Sequence, residues 1–230
     1  MLVSSVLAFA ALASATPFGV VTERDIFPAY PLTQILPVPG YNSTTDGFNR
    51  LGNLYTNSAA QLTAQANEIA QKTIALNGSG GVTYNYDVKA SLASSLTILN
   101  NLLWQTAYQT EQRVCAIVTS INQQNVDTVN GNLRAGIAAE VQAIIRITVT
   151  LTTTIATIKA QLAAFSEAER VVVATLIQAI ATAASASLGP AAQLSGGLSA
   201  AGLTGLADVV GGLQVAITSL QALATINWSF

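Results

Sequence analysis

LRAGIAAEVQAIIRITVTLTTTIATIKAQLAAF, residues 133–165, is the stretch whose period decides the fold. Its stripe runs Ile137, Val141, Ile144, Thr148, Leu151, Ile155, Ile158, Leu162 and Phe165, alternately four and three residues apart. That is one continuous helical face, with a threonine methyl at a single position. A competing signal lies inside it, because residues 147–152 alternate with period two and are rich in β-branched side chains, as a strand would be. The helix prevails. Strong helix formers flank the segment at Ala138-Ala139-Glu140 and Lys159-Ala160-Gln161-Leu162, and the stripe crosses it without a break in phase. Ile145 and Val149 add apolar surface on another side, which predicts packing against more than one neighbour.

Working outward, the same spacing gives a helix from Asp46 to Leu76, with Asp46 as N-cap and a Glu68–Lys72 pair at i,i+4. A second runs from after Asp87 to about Gln123, with Trp104 and Tyr108 beside its stripe. After the central helix, Ser166-Glu167-Ala168-Glu169 reads as a capping box opening a fourth helix, which Gly189-Pro190 is expected to stop near Ser187. A loose stretch from Gln193 to Thr204 leads to a fifth, Leu206 to Ile226. Long helices on short connections return antiparallel, so the fold class is all-α: an elongated up-and-down bundle of about five helices. About 30 residues of helix span some 45 Å.

The flanks point to export. Leu2 to Leu12 is an apolar run and Ala13-Ser14-Ala15 supplies small residues for cleavage, so residues 1–15 read as a signal peptide. Residues 16–45 form a proline-rich arm with Pro28, Pro31, Pro37 and Pro39, and residues 46–230 a single helical domain. Three glycosylation sequons, at Asn42, Asn77 and Asn227, fall at expected loops or the terminus. The expected location is extracellular, with the cell wall as one destination. The one cysteine, Cys115, lies on an apolar stripe and reads as a buried thiol, with an intermolecular disulfide as the alternative.

Catalytic chemistry finds little to use. The 230 residues are 51% hydrophobic and 9% charged with a net charge of −2, against about a quarter charged in ordinary domains. Such a balance offers no footprint for nucleic acid. Without histidine there is no Ser-His-Asp or Cys-His site and no imidazole metal ligand, and no cofactor, metal or catalytic residue is expected. Gly196-Gly197 and Gly211-Gly212 lack the Lys and Ser/Thr of a phosphate loop and read as helix breaks or close backbone packing. Glu167 and Glu169 are two apart, on different faces, and capping accounts for them. Glu140 falls beside the central stripe and leaves two readings open. It is either a buried carboxylate contacting a ligand or cation, or a residue near the bundle end that reaches water or pairs with Arg113 or Arg134. The second is favoured because unpaired burial is costly. Trp104 and Tyr108 read as core aromatics before they read as a pocket floor.

The carboxyl-terminal quarter carries the functional expectation. Between Arg170 and Asp208 there is no charge, and none follows Asp208. Thr175, Gln178 and Thr182 interrupt the segment as a membrane span, so Leu176, Ile180, Val210, Leu213, Ile217 and Leu220 are candidates for an apolar binding face. Together, the export signal, the Glu23-Arg24-Asp25 leader and the Ala/Thr/Leu-rich, histidine-free helical chain resemble the secreted fungal hydrophobic-surface-binding and cell-wall galactomannoprotein group. The resemblance implies helical proteins that adsorb to apolar surfaces or hold fatty acids between helices, and it carries no residue over. The expected function is non-enzymatic binding of an apolar surface, lipid or cell-wall polymer. The alternatives are an effector-type protein docking a partner by helix packing and a membrane-inserting protein.

Overall fold

A computed structural model describes residues 44–78, 86–118, 131–161, 164–200 and 205–225, which form five helices and no strand. They are α1 (Thr44–Gly78), α2 (Tyr86–Val118), α3 (Gly131–Ala160), α4 (Glu167–Ala200) and α5 (Ala207–Ala224). The signal segment, nearly all of the 16–45 arm and the sequons at Asn42 and Asn227 lie outside the described residues.

Residues 147–152 are helical, in the middle of α3. Two of the three threonines that mimic a strand are satisfied locally, since Thr148 and Thr152 donate to the carbonyls of Ile144 and Thr148 at 2.9 and 2.8 Å. Thr154 does the same to Thr150 at 2.9 Å. Each hydroxyl thus meets the carbonyl one turn back, and the methyl group is left to pack. α3 ends at Ala160, and Phe165 reaches the core from the corner that follows, not from the helix. Its second packed side differs from expectation. Ile145 and Val149 are 42% and 54% exposed, while the buried residues beside the main stripe include Gly136, Glu140, Ala143, Ile147, Thr150 and Thr154.

Each helix has two close neighbours, and the contacts close a ring in the order α1, α2, α4, α5, α3. Directions follow from cross-links. Arg113 donates to the Arg50 carbonyl and Gln65 to the Ser95 carbonyl, so α1 and α2 are antiparallel. Asn132 reaches Asn49 and Thr73 bonds Thr154, so α1 and α3 are parallel. Arg134 meets Asp208, while Gln178 reaches the Ala224 carbonyl, so α5 runs parallel to α3 and antiparallel to α4. The chain therefore goes up, down, up, down and up, but the central helix packs mainly on the two helices that run its own way.

Glycine permits that parallel pairing. A Cβ on Gly136 would sit 2.5 Å from the Gly52 carbonyl oxygen, and one on Gly52 would sit 2.7 Å from the Asn132 carbonyl oxygen. Backbone meets backbone there, and no larger residue fits.

Three boundaries differ from the sequence reading. Asp46 is in the first turn of α1 and ion-pairs with Arg50 at 3.0 Å instead of capping the helix. α4 does not stop at Gly189-Pro190; it continues to Ala200 with Pro190 inside. Proline removes one backbone bond and costs about 3 kcal/mol or more within a helix. Burial of Pro190, Ala191, Leu194 and Leu198 in the core offsets this, each leucine contributing roughly 1.5–3 kcal/mol. Finally, Gly196-Gly197 and Gly211-Gly212 lie within α4 and α5 and do not break the helices. A Cβ at Gly196 or Gly211 would meet nothing within 4 Å, and one at Gly212 would make ordinary contact with Val141.

Candidate functional site

The six apolar candidates are side chains of the core. Leu176, Ile180, Leu213 and Leu220 are fully buried, Ile217 nearly so, and Val210 is 9% exposed. They are not an exposed face in this arrangement, because α5 seats against α3 and α4 with its own Val210, Leu213, Ile217 and Leu220 turned inward. The helix that carries four of them is slight. α5 is 18 residues long, has exposed Gly211, Val215 and Ser219 along its outer side, and carries Asp208 as its one charge. Its start is clamped to α3 by Arg134, which donates to Asp208 and to the Gly205 carbonyl. Its end is tied to α4 by Gln221 donating to Ser185 at 2.8 Å and Gln178 to the Ala224 carbonyl at 3.4 Å. All of these ties are exposed and polar. α3, α4 and α5 are each long and apolar enough to cross a membrane, by length and composition.

Inside the bundle, a polar junction interrupts the core. Tyr55 on α1, Thr110 on α2, Glu140 on α3 and Ser187 on α4 are all fully buried. Glu140 reaches neither water nor an arginine, which corrects the favoured sequence reading: Arg134 is held by Asp208, and Arg113 donates to the Arg50 carbonyl. Neither Glu140 carboxyl oxygen, nor the Tyr55 or Thr110 hydroxyl, makes a hydrogen bond of normal geometry, although Ser187 lies beside Glu140 and Thr110 beside Tyr55. Burial pushes the Glu140 carboxyl up to about 8, and the nearby Ser187 hydroxyl only tempers the rise. Burial, and then the neighbouring Glu140, hold the Tyr55 phenol well above its ordinary range. At neutral pH the junction is therefore an uncharged set of protic groups, with Glu140 protonated.

At the opposite end, the capping box forms as its spacing predicts. The Ser166 amide donates to Glu169 at 2.7 Å and the Glu169 amide to the Ser166 hydroxyl at 3.2 Å. Capping does not exhaust Glu169, however. Lys89 meets both its carboxylate oxygens at 3.0 Å, donates to the Ala164 carbonyl at 2.6 Å and lies 4.9 Å from the centre of the Phe165 ring. This buried ion pair joins α2 to α4. The sequence reading missed it because its partners lie 80 positions apart.

Cys115 is exposed, not buried as its stripe suggested. Asn77 is exposed in the last turn of α1 rather than in a loop, and accepts from Gln161 at 3.4 Å. Trp104 is partly buried against the core, and Tyr108 is half-buried. Among the described residues no three His, Cys, Asp or Glu side chains gather to hold a metal ion. Comparison with protein-family models, curated proteins and solved structures returned no match.

Proposed function

We propose that this protein is a secreted, non-enzymatic helical bundle that binds apolar surfaces or lipids by parting α5 from α3 and α4. The supporting observation is the seating of α5: an almost uncharged helix held by exposed polar ties over a set of fully apolar side chains. Burying Leu213 or Leu220 contributes roughly 1.5–3 kcal/mol whether the cover is α4 or an oily surface, so the two states compete closely. The polar ties are reachable by water in both. The resemblance to the fungal hydrophobic-surface-binding group, with its cell-wall association, agrees with this reading.

The test uses delipidated full chain with a fluorescent fatty acid and with alkyl-coated beads. Saturable binding with helicity retained is expected. No binding to either probe would exclude the reading. Membrane insertion is the second reading, favoured by three consecutive helices that are apolar enough to span. Release of dye from neutral vesicles at protein concentrations where beads are not yet coated would favour it.

A further inference from the structure

A different face of the bundle holds a groove of about 460 Å³ between α1 and α2, within the range of about 300–1,000 Å³ typical of small-molecule sites. Such sites are ordinarily apolar, and this one is the reverse. Asn53 and Asn57, one turn apart on α1, face Gln105 and Gln109, one turn apart on α2, and Arg50 with Arg113 closes one end. The antiparallel register places these rails opposite each other, fixed by the bond from Arg113 to the Arg50 carbonyl at 3.1 Å. Leu54, Ser58 and Thr106 form a buried floor. No carboxylate lines the groove.

Several of these groups are already positioned. Arg50 is held through Nε and Nη2 by Asp46, both at 3.0 Å, leaving Nη1 for another acceptor. Asn53 Oδ1 accepts from Asn132 at 3.1 Å, which leaves the Asn53 amide hydrogens as donors. Carboxamides donate and accept at once and stay neutral at any pH, which suits vicinal hydroxyls. Guanidinium N–H groups suit an oxyanion, and with Asp46 on its Nε and Nη2 the group that Arg50 offers is Nη1.

We propose that the groove binds an anionic sugar or polyol, its phosphate held at the Arg50–Arg113 end and its hydroxyls along the carboxamide rails. Inorganic phosphate can use only the arginine end, and an uncharged sugar only the rails. The proposal is independent of the apolar reading, since no groove residue belongs to α3, α4 or α5.

Isothermal titration of the full chain with glucose 6-phosphate, glucose and inorganic phosphate tests it. Phosphatidylcholine vesicles with and without phosphatidylinositol form a second arm for a membrane-borne source. Either glucose 6-phosphate binds at least about tenfold more tightly than both of its parts, or phosphatidylinositol raises vesicle binding by as much. Arg50→Gln and the double variant Asn57→Ala/Gln105→Ala, whose asparagine and glutamine are exposed, should each abolish that gain with helicity unchanged. The responding arm identifies the source. Equal binding of glucose 6-phosphate and phosphate with no vesicle effect, or a gain that survives both variants, overturns the proposal.

Discussion

Gly136 and Gly52 bring α3 and α1 into backbone contact, with the ideal Cβ position of Gly136 only 2.5 Å from the Gly52 carbonyl oxygen. Because the obstacle is backbone, no rotamer change relieves it. Gly136→Ala should destabilise the fold by about 1–3 kcal/mol through overpacking, even though alanine is the better helix former. Gly211→Ala meets open space and should stabilise by roughly 0.5–1 kcal/mol. Chemical denaturation of the two variants checks both signs. Stabilisation or no change in Gly136→Ala would mean that α1 and α3 do not touch there, and a loss in Gly211→Ala would mean that its side is not open.

Sequence periodicity made the helices legible because each buries one stripe, and strong formers on both sides carried the disputed threonine segment of α3. The Ser166 box was legible because its four residues are consecutive. Pro190 was not, since whether a helix survives proline depends on what the next turns bury. The Gly52–Gly136 contact, the Lys89–Glu169 pair and the carboxamide groove join residues that only tertiary pairing brings together. Glu140 was visible as an oddity, but its burial depended on where Arg113 and Arg134 found their partners. The six apolar candidates were correctly apolar, yet composition alone does not tell a core face from an exposed one.

Lys89 and Glu169 should behave as a coupled pair. Their side chains are 9% and 4% exposed, so removing one charge leaves the other stranded. Lys89→Met should cost about 3–5 kcal/mol. Adding Glu169→Gln should recover part of that loss, because the lysine-free carboxylate no longer has to be buried as a charge. Urea melts of the two singles and the double form the cycle. Additive losses would rule out the coupling.

Glu140 should make stability fall with rising pH. Its folded value of about 8 lies above the ordinary 4.5, so the folded state holds a proton that the unfolded chain gives up. Below 4.5 both states are protonated and nothing is lost. Between 4.5 and 8 the unfolded state alone ionises, and stability declines at up to about 1.4 kcal/mol per pH unit. Above 8 the folded state ionises too and the decline levels off. Glu140→Gln removes this contribution while other carboxylates continue to titrate. The stability of the glutamine variant relative to the parent should therefore climb from pH 4.5 to pH 8, by a total on the order of a few kcal/mol. Parallel stability curves in urea at pH 4, 6 and 8 would show that the carboxyl is solvated or paired.

The clamp at the start of α5 allows a test of how the apolar face is uncovered. Arg134 holds both Asp208 and the Gly205 carbonyl, and the pair is exposed, so salt screens it. If α5 must leave α3 and α4 for the chain to adsorb, weakening the clamp should speed adsorption while leaving the final coverage unchanged. Asp208→Asn, which keeps the side-chain shape, should therefore adsorb faster to alkyl-coated beads than the parent. Raising salt should narrow that difference, because screening loosens the parent clamp as well. Leu213→Asp places a charge where either the core or an oily surface would bury it, so it should reduce coverage at whatever rate coverage is reached. Circular dichroism of each variant before mixing separates loosening of α5 from global unfolding. Identical adsorption rates for parent and Asp208→Asn at low salt, with both folded, would place the binding face away from α5.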